Sequence, residues 1–124
     1  MTESHSEIYR IWRIANITGW KLTKVGQERM HVGAWDVAWD TDIPSDETLC
    51  AHLRRNGLGF VAEVIEHGHS QHAFAAAVDI INDRRERELV AGGDADAIVA
   101  RYRAIGEACE DALMLHKVRA ASAA

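Results

Sequence analysis

Residues 70–91, SQHAFAAAVDIINDRRERELVA, and residues 94–119, DADAIVARYRAIGEACEDALMLHKVR, flank Gly92-Gly93, and their reading decides the fold. In the first segment Phe74, Ala77, Val78 and Ile81 recur at helical spacing and predict a buried stripe. Asp83 to Glu88 then mixes signs at spacings that suit a solvated helix surface. In the second segment Ile98, Tyr102, Ile105, Cys109, Ala112 and His116 step by 4, 3, 4, 3 and 4 residues, a seam widened by Val99, Gly106 and Leu113. Asp94 and Asp96 at its start, and Lys117 and Arg119 at its end, suit the dipole of a helix. At 1.5 Å per residue the two helices span roughly 33 and 39 Å. Lengths so similar, joined by two glycines, predict an antiparallel helical hairpin.

This hairpin sets the expected fold class: a mainly α, small helical domain. Its parts are a Trp-rich N-terminal portion (residues 1–69), the hairpin (70–119) and a frayed alanine-rich tail (120–124). Upstream, Ser45-Asp46-Glu47 reads as a helix start, with Ser45 as the cap and Leu49 and Leu53 one turn apart, and Asn56-Gly57 as the stop. Phe60 to Glu66 reads as a short helix ending at Gly68. From about Ser6 to Thr18, Ile8, Ile11, Trp12 and Ala15 share a helical stripe, and Gly19 closes it. Trp20 to Asp40 reads two ways. His31, Gly33, Trp35, Val37 and Trp39 alternate as one side of a β-hairpin, which makes the domain α+β; Met30, Ala34, Val37 and Ala38 fall on one face of a helix.

Hydrophobic residues make up 48% and charged residues 27% of the 124, a globular balance. No apolar run approaches the ~20 residues of a membrane span, and the polar start lacks the pattern of a signal peptide. The only two cysteines, Cys50 and Cys109, form no CxxC, so reduced thiols and a cytoplasmic location are expected. The net charge of −5 is uneven: residues 1–29 carry a surplus of +2, and residues 30–53 hold five acids with no Lys or Arg. Dispersed basic residues on an acidic chain argue against nucleic acid as a partner.

Three constellations could carry function. The first is the seam itself. Ile105 onward meets Phe74 to Ile81, but Ile98 and Tyr102 meet the charged Arg84–Glu88 end. Ile98, Val99, Tyr102 and Ile105 therefore predict an interface covered by a second copy or another protein. The second is Glu63, Glu66, His67, His69 and His72. Imidazoles beside carboxylates suit a divalent transition metal, the one cofactor this sequence suggests; the plainer reading is hydrated side chains at a helix start. HGHSQH at 67–72 differs from the HxHxDH of metallo-β-lactamase-fold hydrolases at Gln71. The ExxH at 66–69 has no second copy to make a di-iron bundle. The third is Trp35 and Trp39 with Asp36 and Asp40, which would make a cage for a cationic ligand or the anchors of an interface, unless the rings simply fill a core. There is no GxSxG, HExxH or GKS/T. The expectation is a non-enzymatic protein that works by protein–protein interaction and associates with itself.

Overall fold

The computed structural model of the chain describes residues 10–19 and 45–123. Among these residues there are five helices and no strand: α1 over residues 10–16, α2 Asp46–Arg55, α3 Gly59–Glu66, α4 Gln71–Val90 and α5 Ala95–Ala123. The β-hairpin or helix expected over Trp20–Asp40 lies outside the described residues.

Three of the helices, α2, α4 and α5, begin where a side chain caps the free backbone donors. The Ser45 hydroxyl accepts the Thr48 N–H at 3.2 Å, satisfying one of the free donors at the start of α2. Asp46 and Glu47 in its first turn, and His52, Arg54 and Arg55 in its last, oppose the helix dipole. Ser70 caps α4 in the same way, accepting from Ala73 N–H at 3.3 Å. The Asp94 carboxylate accepts from Asp96 and Ala97 N–H at 3.1 and 3.3 Å and opens α5. Between α4 and α5 the chain reverses at Gly92, whose φ of 90° is a left-handed conformation costly for any residue with a Cβ.

The long antiparallel hairpin is present as α4 and α5, of 20 and 29 residues. α5 outruns the expected end at Arg119 and takes in residues 120–123 of the tail expected to fray, in keeping with the high helix propensity of alanine. The stripe of α4 is also rotated from its expected position. Ala77 and Ile81 are buried, Phe74 and Ile80 are partly buried, and Val78 is 36% exposed. The cause is that α4 serves two neighbours, packing against α3 as well as α5.

α3 sits at the centre of the molecule. Five of its eight residues, Phe60, Val61, Ala62, Val64 and Ile65, are buried, and it touches α2, α4 and α5. Burying each Val or Ile side chain stabilises the fold by about 1.5–3 kcal/mol. From α1, Ile11, Ile14 and Ala15 join the same cluster, with Ile14 rather than Trp12 completing the buried face. Arg13 fastens α1 to α5, its Nε 3.0 Å from the Asp111 carboxylate and its Nη2 3.1 Å from Glu107. Burial pushes the Asp111 carboxyl up, and Arg13 and Arg10 pull against that rise. The other end of α5 is tied to the start of α2 by an Arg119–Asp46 ion pair. Among the described residues, no helix is long and apolar enough to cross a membrane.

Among the described glycines, the tightest approach is at Gly68, between the α3–α4 turn and α5. A Cβ added at Gly68 would sit 2.3 Å from the Cβ of His116, whereas one added at Gly106, within α5, would meet nothing within 4 Å. Gly68→Ala is therefore expected to cost about 1–3 kcal/mol of unfolding free energy, through forced displacement of a packed helix. Gly106→Ala is expected to gain about 0.5–1 kcal/mol from the lower entropy of its unfolded chain. Equilibrium urea denaturation of the two variants checks both signs.

Candidate functional site

The α3–α4 corner gathers four of the five histidines among the described residues, His67, His69, His72 and His116, beside Glu63 and Glu66. His67 ends α3, its N–H donating to Glu63 O at 2.8 Å, and Ser70 N–H donates to His67 O at 2.8 Å across the turn. Because Gly68 has no side chain, this turn lies directly on His116. The His116 ring reaches the Ile65 carbonyl with Nδ1 at 3.3 Å, and the His69 ring stands edge-on to it, centroids 4.0 Å apart. Ile65 O belongs to the last turn of α3, where carbonyls lack helical partners, so His116 serves as a cap supplied from another helix.

The five residues expected to hold a metal divide into two groups. Ligand atoms of Glu63, Glu66 and His67 lie within 4.8 Å of one another, all on exposed residues. His69 is turned onto His116, and His72 lies at the first turn of α4. The acidic cluster already has a cation. Arg54, from the last turn of α2, forks onto Glu66 with both contacts at 2.8 Å and reaches Glu63 at 3.2 Å. His67 Nε2 stands 3.5 Å from the other Glu63 oxygen. Hydrogen bonds to Glu66 and Glu63 push the Arg54 guanidinium up, and the same bonds hold the Glu66 carboxyl below its ordinary 4.5. A metal taking these carboxylates must displace a bidentate guanidinium.

Arg54 is the member of this cluster that sequence reasoning missed. Its signal was available: it precedes the Asn56-Gly57 stop, and a tight reversal there lays the last turn of α2 beside Glu63 and Glu66.

Beside the corner, α3 and α4 diverge into an open groove of about 530 Å³. Phe60 from α3 and Ala73, Ala76, Ala77 and Ile80 from α4 give it an apolar lining. Glu63, His67, Ser70 and His72 contribute polar groups, clustered about the α3–α4 turn. Arg84 lies about one turn beyond Ile80, its guanidinium 4.9 Å from the centre of the Phe60 ring and one Nη donating to Gly57 O at 2.9 Å.

The seam residues expected to need outside cover are largely covered by the chain itself. Ile98 is 9%, Tyr102 4% and Ile105 3% exposed, while Val99 is 37% exposed. Leu89 packs against the core from the facing helix. The Tyr102 hydroxyl donates to Glu88, Arg101 bonds Glu88 at 3.1 Å, and the Arg101 guanidinium lies 5.2 Å from the centre of the Tyr102 ring. Charged side chains close this end with their stems while their heads pair in solvent. Trp35, Trp39, Asp36 and Asp40 lie outside the described residues.

The two thiols are poor nucleophiles. Burial pushes Cys50 up to about 11 and Cys109 up to about 12. Cys50 Sγ faces the Ala62 carbonyl at 3.8 Å. No protein-family model, no curated protein and no solved structure matches this chain, so its function is read from its own residues.

The Arg54 fork gives a pH dependence of definite sign. The folded-state pKa of Glu66 is depressed, so its contribution to stability is present above the unfolded value of 4.5 and is lost as pH falls through the lowered folded value. Glu66→Gln is expected to remove this part of the acid sensitivity. Because the pair is exposed, the difference is small. Urea midpoints of wild type and variant, compared from neutral pH down through the carboxylate range, check it.

Proposed function

We propose that this chain is a non-enzymatic helical protein that acts by binding another protein, and that its contact face is the apolar groove between α3 and α4. The groove is the observation that carries this reading. Its lining is apolar along α4, its polar groups lie about one end, and it is partly open to solvent. That shape suits an amphipathic helix laid between two helices better than a small molecule, which a binding site normally encloses on most sides. Ala76 is exposed and Ala73 and Ile80 half-buried, so an incoming helix meets a low, apolar surface.

The occupation of the reactive groups supports the non-enzymatic part. Ser70 Oγ is taken by its capping bond, the carboxylates by Arg54, and both thiols by burial. Two buried free thiols also favour a reducing, cytoplasmic setting. This reading moves the contact face from the seam at Ile98, Val99, Tyr102 and Ile105 to the other flank of α4.

A second reading follows from the convergence of Glu63, Glu66 and His67: a divalent transition metal held after Arg54 swings away. Zinc retained in stoichiometric amount by untagged wild-type protein after gel filtration would favour it. The groove reading expects zinc uptake only once Arg54→Met has freed the carboxylates.

The groove reading is tested with the fluorescent probe anilinonaphthalene sulfonate on the native protein, diluted until light scattering shows a monomer so that self-association cannot cover the groove. Enhanced, saturable emission is expected, and Ala76→Arg should abolish it while changing stability by no more than about 0.5 kcal/mol, as befits an exposed position. Emission equal to that of the dye in buffer, or emission untouched by the arginine, rejects the groove as a contact face.

A further inference from the structure

We infer that the occupant of the groove is a second copy of this chain, laid antiparallel across it about a two-fold axis passing close to Ala76 of α4. This rests on the groove being a contact face, and it adds which partner fills it and in what register.

The distribution of side chains on α4 is what selects a copy of the same chain. At 3.6 residues per turn, Ala76 lies at the middle of a face flanked on one side by His72 and Asp79 and on the other by Ala73 and Ile80. His72, Ala76 and Asp79 are exposed, and Ala73 and Ile80 are half-buried against the groove. An antiparallel two-fold reverses the helix direction but keeps each flank opposite its own kind. His72 lies about 6 Å from the axis along the helix, and Asp79 about 4.5 Å on the other side of it. The rotation brings His72 of one copy level with Asp79 of the other on the polar flank. On the apolar flank it brings Ala73 level with Ile80 of the other copy, so that the two grooves face each other and each isoleucine packs on the alanine of its neighbour.

The two ends of the groove are complementary in the same operation. At the turn end, Glu63 and Glu66 share the single guanidinium of Arg54, leaving one surplus negative charge. Beyond the other end Arg84 is held by neutral groups, the Gly57 carbonyl and the Phe60 ring, and keeps its charge. The two-fold places Arg84 of each copy toward the acidic turn end of the other. A parallel pairing would instead set acidic end against acidic end, at a cost in like-charge repulsion. A two-fold contact must be self-complementary, and this face meets that condition in both shape and charge.

The axis can be marked chemically. Cys50 and Cys109 are 2% and 0% exposed, so a thiol introduced on the surface is the accessible one. In Ala76→Cys the two new thiols face each other across the axis, and oxidised glutathione accepts the two electrons and two protons released as they join. Ala75→Cys, one residue away and also exposed, points off the face and serves as the control. The expected result is a disulfide-linked dimer that forms at least about tenfold faster from Ala76→Cys than from Ala75→Cys. Asp79→Lys combined with Ala76→Cys should slow the linkage. Equal rates for the two cysteine variants, alongside a dimer in light scattering, overturn this register and leave the groove reading standing. A wild-type protein that stays monomeric throughout the micromolar range overturns the second copy as occupant, and the dye experiment then decides separately whether the groove binds anything.

Discussion

The fold depends on burying the apolar face of α3 against three other helices. Eight residues make a helix only about 12 Å long, far too short to persist alone in water. Five of the eight are buried, so α3 forms only because α2, α4 and α5 close around it. The closest of these contacts is the turn that follows it. Where Gly68 meets His116, the turn lies so close to the histidine side chain that no second side chain fits, and the His116 ring then completes the hydrogen bonding of the last turn of α3. A helix end is thus capped by a residue 51 positions further along the chain. The cap couples the central helix to the hairpin, and it fixes the angle at which α3 and α4 diverge to leave the groove.

The hairpin was legible in the sequence because its signals are local and repeated. A seam stepping by threes and fours, acids at the start, and Gly92 at the bend all point to the same structure, and the chain adopts it. The rotation of α4 was not legible. Period alone cannot tell a helix with one apolar neighbour from a helix with two, and Ile80 became part of the buried surface only because α3 lies on that flank. Ile14 escaped notice for a related reason. Its place beside Ile11 depends on how α1 meets α5, which is set by Arg13 reaching Glu107 and Asp111 nearly a hundred residues away.

The histidine cluster shows how a compositional signal divides once the backbone is placed. Five candidate ligands within ten residues looked like one site. The turn at His67–His69 sends them in different directions: His67 toward Glu63, His69 onto His116, and His72 along α4. What the linear pattern lacked was the cation contributed by α2. A guanidinium with two contacts to one carboxylate and a third to its neighbour satisfies geometrically what the acids demand. The cluster is then explained as an ion-pair network that pins α2 to α3.

The seam and the groove resolve the same problem in opposite ways. Opposite Ile98 and Tyr102 the facing half of α4 is charged, yet the chain closes over both residues: the turn at Gly93 lies against Ile98, and Arg101 and Glu88 pair beside Tyr102. Near the start of α4 the side chains are short instead. Ala73, Ala76 and Ala77 cannot reach across to Phe60, and the space they leave is the groove. Larger apolar residues there would fill it from within the chain, and filling an apolar gap is an accessible route to higher stability. Among the described residues, one apolar seam is thus closed by an arginine and a glutamate, while the neighbouring gap is lined with alanine and left open.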